Sequence, residues 1–175
     1  DTQSMALQGA MVQMISHGLV SGALFFSIGV LYDRLHTREI SEYGGVVNSM
    51  PVFATLLMLF IFANAGLPGT SGFVGEFFVI ISSFQADWSI ALFAGFTLVL
   101  GAAYSLWFYK RVILGKAAND KVERLDDINL REKTVLIILA ILVIALGVYP
   151  QFLINIMQPS IEQLLQFTSN SKLGG

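Results

Sequence analysis

The sequence predicts an all-α protein: a polytopic bundle of membrane helices with four crossings, one of which is a broken, discontinuous helix. Three observations support this fold class. Of the 175 residues, 55% are hydrophobic and only 13% are charged, whereas soluble domains carry about 25% charged residues. The charged residues are absent from four long stretches. A segment rich in proline and glycine interrupts one of these stretches.

The uncharged stretches are long enough to be membrane helices. They cover residues 2–32, 43–75, 88–109 and 134–161. A helix needs about 20 mainly apolar residues to cross a hydrocarbon core about 30 Å thick. We therefore expect residues 1–175 to form a single membrane region in contact with the lipid bilayer.

Three of the helices are predicted to be continuous. The first covers about 4–32, the third about 88–110 and the fourth about 133–157, with Pro150 near its far end. A short polar tail, 158–175, is predicted to follow the fourth helix.

The second helix is predicted over 51–83, with a break at 67–72. It begins near Pro51, because proline is favoured at a helix start. The alternative is two separate short elements joined by a surface loop, but the loop carries no charge. The residues that break the helix lack a backbone N–H or favour non-helical dihedral angles: Pro68, Gly69 and Gly72.

The basic residues predict the orientation of the bundle. Nine of the ten Lys and Arg residues fall in the two connections after helices one and three, and only Lys172 falls on the opposite side. Short loops rich in Lys and Arg stay on the cytoplasmic side, or in the mitochondrial matrix. Both termini are then predicted to face outward.

Composition excludes several functions. The chain has no cysteine, so it has neither a thiolate-held iron–sulfur cluster nor a disulfide. Its net charge of −2 predicts no nucleic-acid partner. The segment 66–72, GLPGTSG, lacks the Gly-Lys-Ser/Thr ending of a phosphate loop. We predict no cofactor, no metal site and no catalytic redox residue in this chain.

Helix one carries a polar stripe. Gln13, His17 and Ser21 are four residues apart, so they share one helix face. A histidine gains and loses a proton near neutral pH, and glutamine and serine can hold water beside it. The stripe predicts a path for protons. The alternative is a neutral histidine that only hydrogen-bonds a neighbouring helix.

Glu76 is the single acid within the predicted spans. A carboxylate inside a membrane costs several kcal/mol unless it is paired, hydrated or protonated. It follows the break, and broken helices line ion paths in transporters. We therefore predict that Glu76 lies on the proton path. The alternative is a protonated glutamate that only hydrogen-bonds carbonyls of the break.

Two segments resemble a known family. MISHGLVSGALFFSIGVLYDRLHTREISEYGG, residues 14–45, and NAGLPGTSGFVGEFF, residues 64–78, are similar to the antiporter-like M-type subunit (chain 4 in mitochondria) of respiratory complex I. The resemblance runs over essentially the whole chain. It implies that this chain, which starts at Asp1, is the C-terminal part of a fourteen-helix subunit and supplies its helices eleven to fourteen.

The resemblance also implies roles for two residues. Related subunits carry a lysine on the last broken helix, whereas the M type carries a glutamate, and Glu76 occupies that place. His17 matches a histidine that relays protons between the central and exit parts of the channel. The paired glutamate and lysine of the earlier helices are not in this chain.

The implied function belongs to a complex. NADH:quinone (ubiquinone) oxidoreductase reduces a quinone with NADH and translocates protons. This chain would contribute proton conduction through His and Glu, beside other membrane and peripheral subunits of complex I. Its implied location is the bacterial inner membrane or the mitochondrial inner membrane. The alternative is a subunit of a multisubunit sodium/proton antiporter, whereas a purely structural scaffold would need neither Glu76 nor a broken helix.

The charge asymmetry gives a testable topology. A reporter inserted within 116–128 should lie in the cytoplasm or matrix, and one at the C-terminus should lie outside, because basic loops are retained. Protease protection of the two reporters in membrane vesicles measures this. Finding both on the same side would contradict a four-crossing chain.

Overall fold

The computed structural model describes the backbone of residues 2–173 and the side chains of residues 2–168. Within that range it is helical, with no strand. Two 3₁₀ turns, Ile40–Glu42 and Val46–Asn48, follow the first helix. The helices are α1 Thr2–Leu35, α2 Pro51–Asn64, α3 Ser71–Ala86, α4 Trp88–Val112, α5 Asp120–Glu123, α6 Leu130–Val148 and α7 Gln151–Leu173.

The predicted all-α membrane bundle is confirmed. Over the described residues, α1 and α4 are each long and apolar enough to cross a membrane. The pair formed by α6 and α7 qualifies as a third span if it is counted as one bent helix. Helices α2 and α3 are shorter, with 14 and 16 residues.

Helix α1 is the continuous element against which the shorter helices pack. Its 34 residues extend about 51 Å at about 1.5 Å per residue. One face is buried at intervals of three or four residues, the spacing of a helix face. That face consists of Gly9, Val12, Ser16, Val20, Ala23, Ser27 and Val30.

The break between α2 and α3 lies at residues 65–70, two residues earlier than the sequence predicts. Ser71 opens α3, and its Oγ accepts a hydrogen bond of 2.7 Å from the Oγ of Ser16. Because Ser16 lies near the middle of α1, the break lies near mid-height of the bundle.

The fourth predicted helix, 133–157, is not continuous. Helix α6 ends at Val148 and α7 begins at Gln151, with a bend of 68° between them. Pro150 has no N–H to continue the helical ladder, and a residue before proline avoids the helical region. Tyr149 accordingly has φ −130° and ψ 67°.

The predicted polar tail, 158–175, differs from the prediction because it is helical as far as Leu173. Helix α7 runs on to Leu173, with Pro159 inside it. Its buried side chains pack on α1 and α3. They are Ile154, Met157 and Ile161, in a cluster with Val12 and Val74. Within the predicted tail, Ile161 and the partly buried Leu165 continue this contact. The side chain of Lys172 and residues 174–175 lie outside the described residues.

One end of the bundle gathers the basic connections. Arg34 donates two hydrogen bonds to Glu132, of 3.0 and 2.8 Å. It also donates to the carbonyls of Asp126 and Asp127, at 3.0 and 3.3 Å. These contacts join the end of α1 to the start of α6, so the two basic connections lie on the same side.

Aspartate side chains cap helices at this end of the bundle and at the opposite end. Asp127 caps α2 by accepting from the N–H groups of Val52 and Phe53, at 2.8 and 3.1 Å. At the opposite end, Asp87 caps α4 and accepts from the hydroxyl and the N–H of Ser89, at 2.6 and 2.7 Å. These two bonds lower the pKa of the Asp87 carboxyl below its ordinary value.

Arg34→Ala should destabilise the bundle by about 2 kcal/mol, because it leaves the partly buried Glu132 without its bidentate partner. Both side chains are mostly buried, with 17% and 16% exposed. Thermal unfolding of the full-length protein in detergent measures the effect.

Arg38→Ala is the matched control. The Arg38 guanidinium lies 5.3 Å from the centre of the Tyr32 ring and is exposed, so its loss should cost less than about 1 kcal/mol. Equal losses in the two variants would show that the Arg34–Glu132 pair does not join the ends of α1 and α6.

Candidate functional site

Glu76 lies on α3, opposite Gln13 of α1. Gln13 Nε2 donates a hydrogen bond of 3.2 Å to Glu76 Oε1. The helices come this close because residue 75 is glycine: a Cβ on Gly75 would lie 2.7 Å from the Cα of Gln13. The tight packing of α1 and α3 therefore sets the position of the Glu76 carboxyl group.

Two oxygens of this pair are buried without a partner. Within residues 2–168, neither Oε2 of Glu76 nor Oε1 of Gln13 meets a hydrogen-bond donor. An unpaired buried oxygen costs about 1–3 kcal/mol. A water molecule, or a proton that turns the carboxyl into a donor, would supply the missing bond. The pair is therefore suited to hold water or exchange a proton.

A cavity of about 250 Å³ opens between α1, the end of α2, α3 and α4. One water occupies about 30 Å³ in the liquid, so the cavity has room for several. Apolar members of its lining include Val20, Ala63 and Leu98. Its polar lining consists of Gln13, Ser16, His17, Asn64, Glu76, Thr97 and Tyr104.

A second cavity, of about 240 Å³, lies on the other side of the pair. It is lined by Val79, Ile80 and Ala94, farther along α3 and α4 towards the end opposite the basic connections. Gln13 and Glu76 line both cavities, together with Thr97 and Leu98. The Gln13–Glu76 pair therefore forms part of the boundary between two cavities at different heights.

The structure brings together three of the four residues predicted for the proton path. Gln13, His17 and Glu76 all line the first cavity. Ser21, one turn beyond His17, lines neither cavity. Of the residues predicted to break the helix, Gly72 lines the first cavity, and Pro68 and Gly69 lie in the break outside it.

Sequence reasoning missed the contribution of α4 and the end of α2. Asn64, the last residue of α2, donates to the hydroxyls of Ser105 and Tyr104, at 3.0 and 3.5 Å. Thr97, Gly101 and Tyr104 line the cavity from α4, at spacings of four and three residues. This one-face pattern of small and polar residues was the available signal.

The chain is similar to known membrane proteins. A family model described as NADH:quinone oxidoreductase/Mrp antiporter, TM, matches residues 2–101. NADH-quinone oxidoreductase subunit M of Rhodobacter capsulatus is 48% identical over 160 residues, which are 91% of this chain and 31% of that protein. NADH-ubiquinone oxidoreductase chain 4 of Marchantia polymorpha is 42% identical over 160 residues, 91% and 32% of the two chains. The chain thus spans about a third of these curated relatives.

Solved structures agree in fold. Respiratory complex I from Thermus thermophilus with bound NADH contains a chain that matches with a TM-score of 0.85 and 26% identity, over 93% of this chain and 34% of that one. A chain of the Mrp complex from Dietzia sp. DQ12-45-1b matches with a TM-score of 0.79 and 18% identity, over 90% and 38%. The second likeness shows the fold alone.

These matches confirm the resemblance to the M-type subunit and the membrane location predicted from the sequence. Residues 2–101 include α1, the break, Glu76 and every residue named as lining the two cavities except Tyr104. The chain belongs to the family of membrane subunits described as NADH:quinone oxidoreductase/Mrp antiporter, TM.

Proposed function

We propose that this chain conducts protons across the membrane as part of an antiporter-like subunit of an NADH–quinone oxidoreductase, with Glu76 and His17 as the groups that exchange protons. The observation that carries the proposal is the Gln13–Glu76 pair at the boundary of two cavities. A titratable group that borders water on two sides can take a proton from one side and release it to the other.

The first cavity supports a role for His17. It joins His17 to Glu76 through space lined by hydroxyl and amide groups, and water in such a space can carry a proton between them. A histidine changes charge near neutral pH, so it is suited to receive a proton there. Ser21 lies outside both linings, and its part in the path is the weakest of the four predicted.

The driving energy would come from other subunits of the complex, whose redox groups reduce the quinone. A positive charge brought near Glu76 favours the ionised form, and its withdrawal favours proton uptake. The two curated relatives described above are named as a subunit of NADH-quinone oxidoreductase and a chain of NADH-ubiquinone oxidoreductase, at 48% and 42% identity. This favours a complex of that kind, with other membrane and peripheral subunits as partners.

A subunit of a multisubunit sodium/proton antiporter is the second candidate, because the Mrp chain shares the fold with a TM-score of 0.79. Purification of the intact complex distinguishes the two. Flavin and iron–sulfur subunits that purify with this chain support the oxidoreductase, whereas sodium-dependent transport by a complex without them supports the antiporter.

Glu76→Gln should leave the complex assembled and lower proton translocation to below about half of wild type, because the amide keeps the shape but cannot ionise. Glu76→Asp keeps the charge on a shorter stem and should retain part of the function. The measurement is proton translocation coupled to NADH oxidation in reconstituted vesicles, normalised to assembled complex.

Glu162→Gln is the matched control. Glu162 accepts a hydrogen bond of 2.9 Å from Gln158, as Glu76 does from Gln13, but it is exposed on α7. Translocation should be normal in this variant. Full translocation in Glu76→Gln would rule out this carboxyl group as a proton carrier.

His17→Ala should lower proton translocation more than assembly, because no backbone hydrogen bond depends on the side chain and the cavity only becomes larger. His36→Asn is the control: His36 is exposed, as His17 is, and its φ of 52° is one that asparagine tolerates, but it lies outside both cavities. If His17→Ala instead loses assembly while translocation per assembled complex stays normal, His17 is a packing residue.

A further inference from the structure

The residue that faces the Glu76 carboxyl group from the break is Gly66. It lies two residues after the end of α2, with φ +75°, and its N–H donates to the carbonyl of Ala63 at 3.3 Å. A Cβ built on Gly66 would overlap Oε2 of Glu76, with Cδ2 of Leu98 at 3.6 Å. The bare backbone of Gly66 thus occupies the side of the carboxyl group that Gln13 does not.

The carboxyl group is held between two neighbours of different kinds. On one side Gln13 donates to Oε1, and on the other Oε2 lies against Gly66 without a hydrogen bond among the described side chains. A methyl group at residue 66 would have to displace Oε2 or the whole side chain. Displacement would move the carboxyl group from the boundary that it shares with Gln13, Thr97 and Leu98.

We propose that Gly66 is a positioning residue for Glu76: the absence of a side chain at residue 66 allows the carboxyl group to stand between the two cavities. The inference rests on the proposed function. It assigns Gly66 a role beyond that of breaking a helix, and it makes the break itself one wall of the proton site.

The break offers an internal comparison. Gly69 also has a positive φ, of +92°, but a Cβ there meets no heavy atom within 4 Å. Alanine is strained by its backbone dihedrals at both positions. Only at residue 66 does it also collide with Glu76. The two alanine variants therefore separate strain of the backbone from displacement of the carboxyl group.

The experiment compares Gly66→Ala with Gly69→Ala in the full-length subunit of the assembled complex. Proton translocation is measured across a pH series in reconstituted vesicles and normalised to assembled complex. Gly66→Ala should lower translocation at least about threefold, because small misplacements of a reacting group are costly, and should shift its pH midpoint. Gly69→Ala should leave the midpoint in place.

A rescue variant tests the cause. Glu76→Asp shortens the side chain and withdraws it from residue 66, so the double variant Gly66→Ala/Glu76→Asp should recover to the level of Glu76→Asp alone. If Gly66→Ala does not assemble, recovery of assembly in the double variant supports the collision, and no recovery overturns the proposal.

The remaining outcomes are distinct. Equal behaviour of Gly66→Ala and Gly69→Ala would overturn the positioning role while leaving the proton path intact, provided that Glu76→Gln is defective. Normal translocation in Glu76→Gln would overturn the proposed function itself, and the positioning role with it.

Discussion

Inside a bilayer every backbone N–H and C=O needs a partner within the protein or in a water-filled cavity. At residues 65–70 the helix is broken, so the backbone there needs partners other than those of a regular helix. The break satisfies much of its own backbone. The N–H of Leu67 donates to the carbonyl of Phe62 at 3.0 Å, and that of Thr70 to the carbonyl of Leu67 at 3.1 Å. The Thr70 hydroxyl donates to the same carbonyl at 2.7 Å. The break is thus a compact turn, and it leaves the first N–H groups of α3 near the cavity.

The continuous helix α1 packs against the break, and the site forms between them. Ser16 is paired with Ser71 at the start of α3, one turn before Gly75 brings the two helices into contact. Gln13 and Glu76 then meet because they lie three and five residues from the serine pair, each along its own helix. The geometry of the carboxyl group follows from two close approaches, at Gly75 and at Gly66. Neither brings a second charged group to Glu76.

How much of this the sequence predicts depends on whether the signal is local. Charge-free stretches locate α1 and α4, the proline and glycines locate the break, and Glu76 stands out as the single acid within the predicted spans, where a carboxylate is costly to bury. The roles of Asn64, Thr97 and Tyr104 depend on which helices become neighbours, and hydropathy does not encode that. The bend between α6 and α7 was not predicted from the sequence, because Pro150 lies in an apolar run that continues on both sides of it. The packing of α7 was not predicted either, because the mean hydropathy of a helix that mixes apolar and polar positions is low.

The break at Pro150 lies beside the first one. A Cβ on Gly147 would overlap the backbone of Thr70, so the end of α6 rests directly on the turn that precedes α3. Two helix C-termini, of α2 and α6, and the N-terminus of α3 therefore meet near mid-height, where partial charges of both signs concentrate. Arg34 lies 18 residues beyond Ser16 on α1, which is about 27 Å at the helical rise. At this distance the basic residues do not fix the charge state of Glu76. On the proposed function, the carboxyl group therefore responds to charges that neighbouring subunits bring near it.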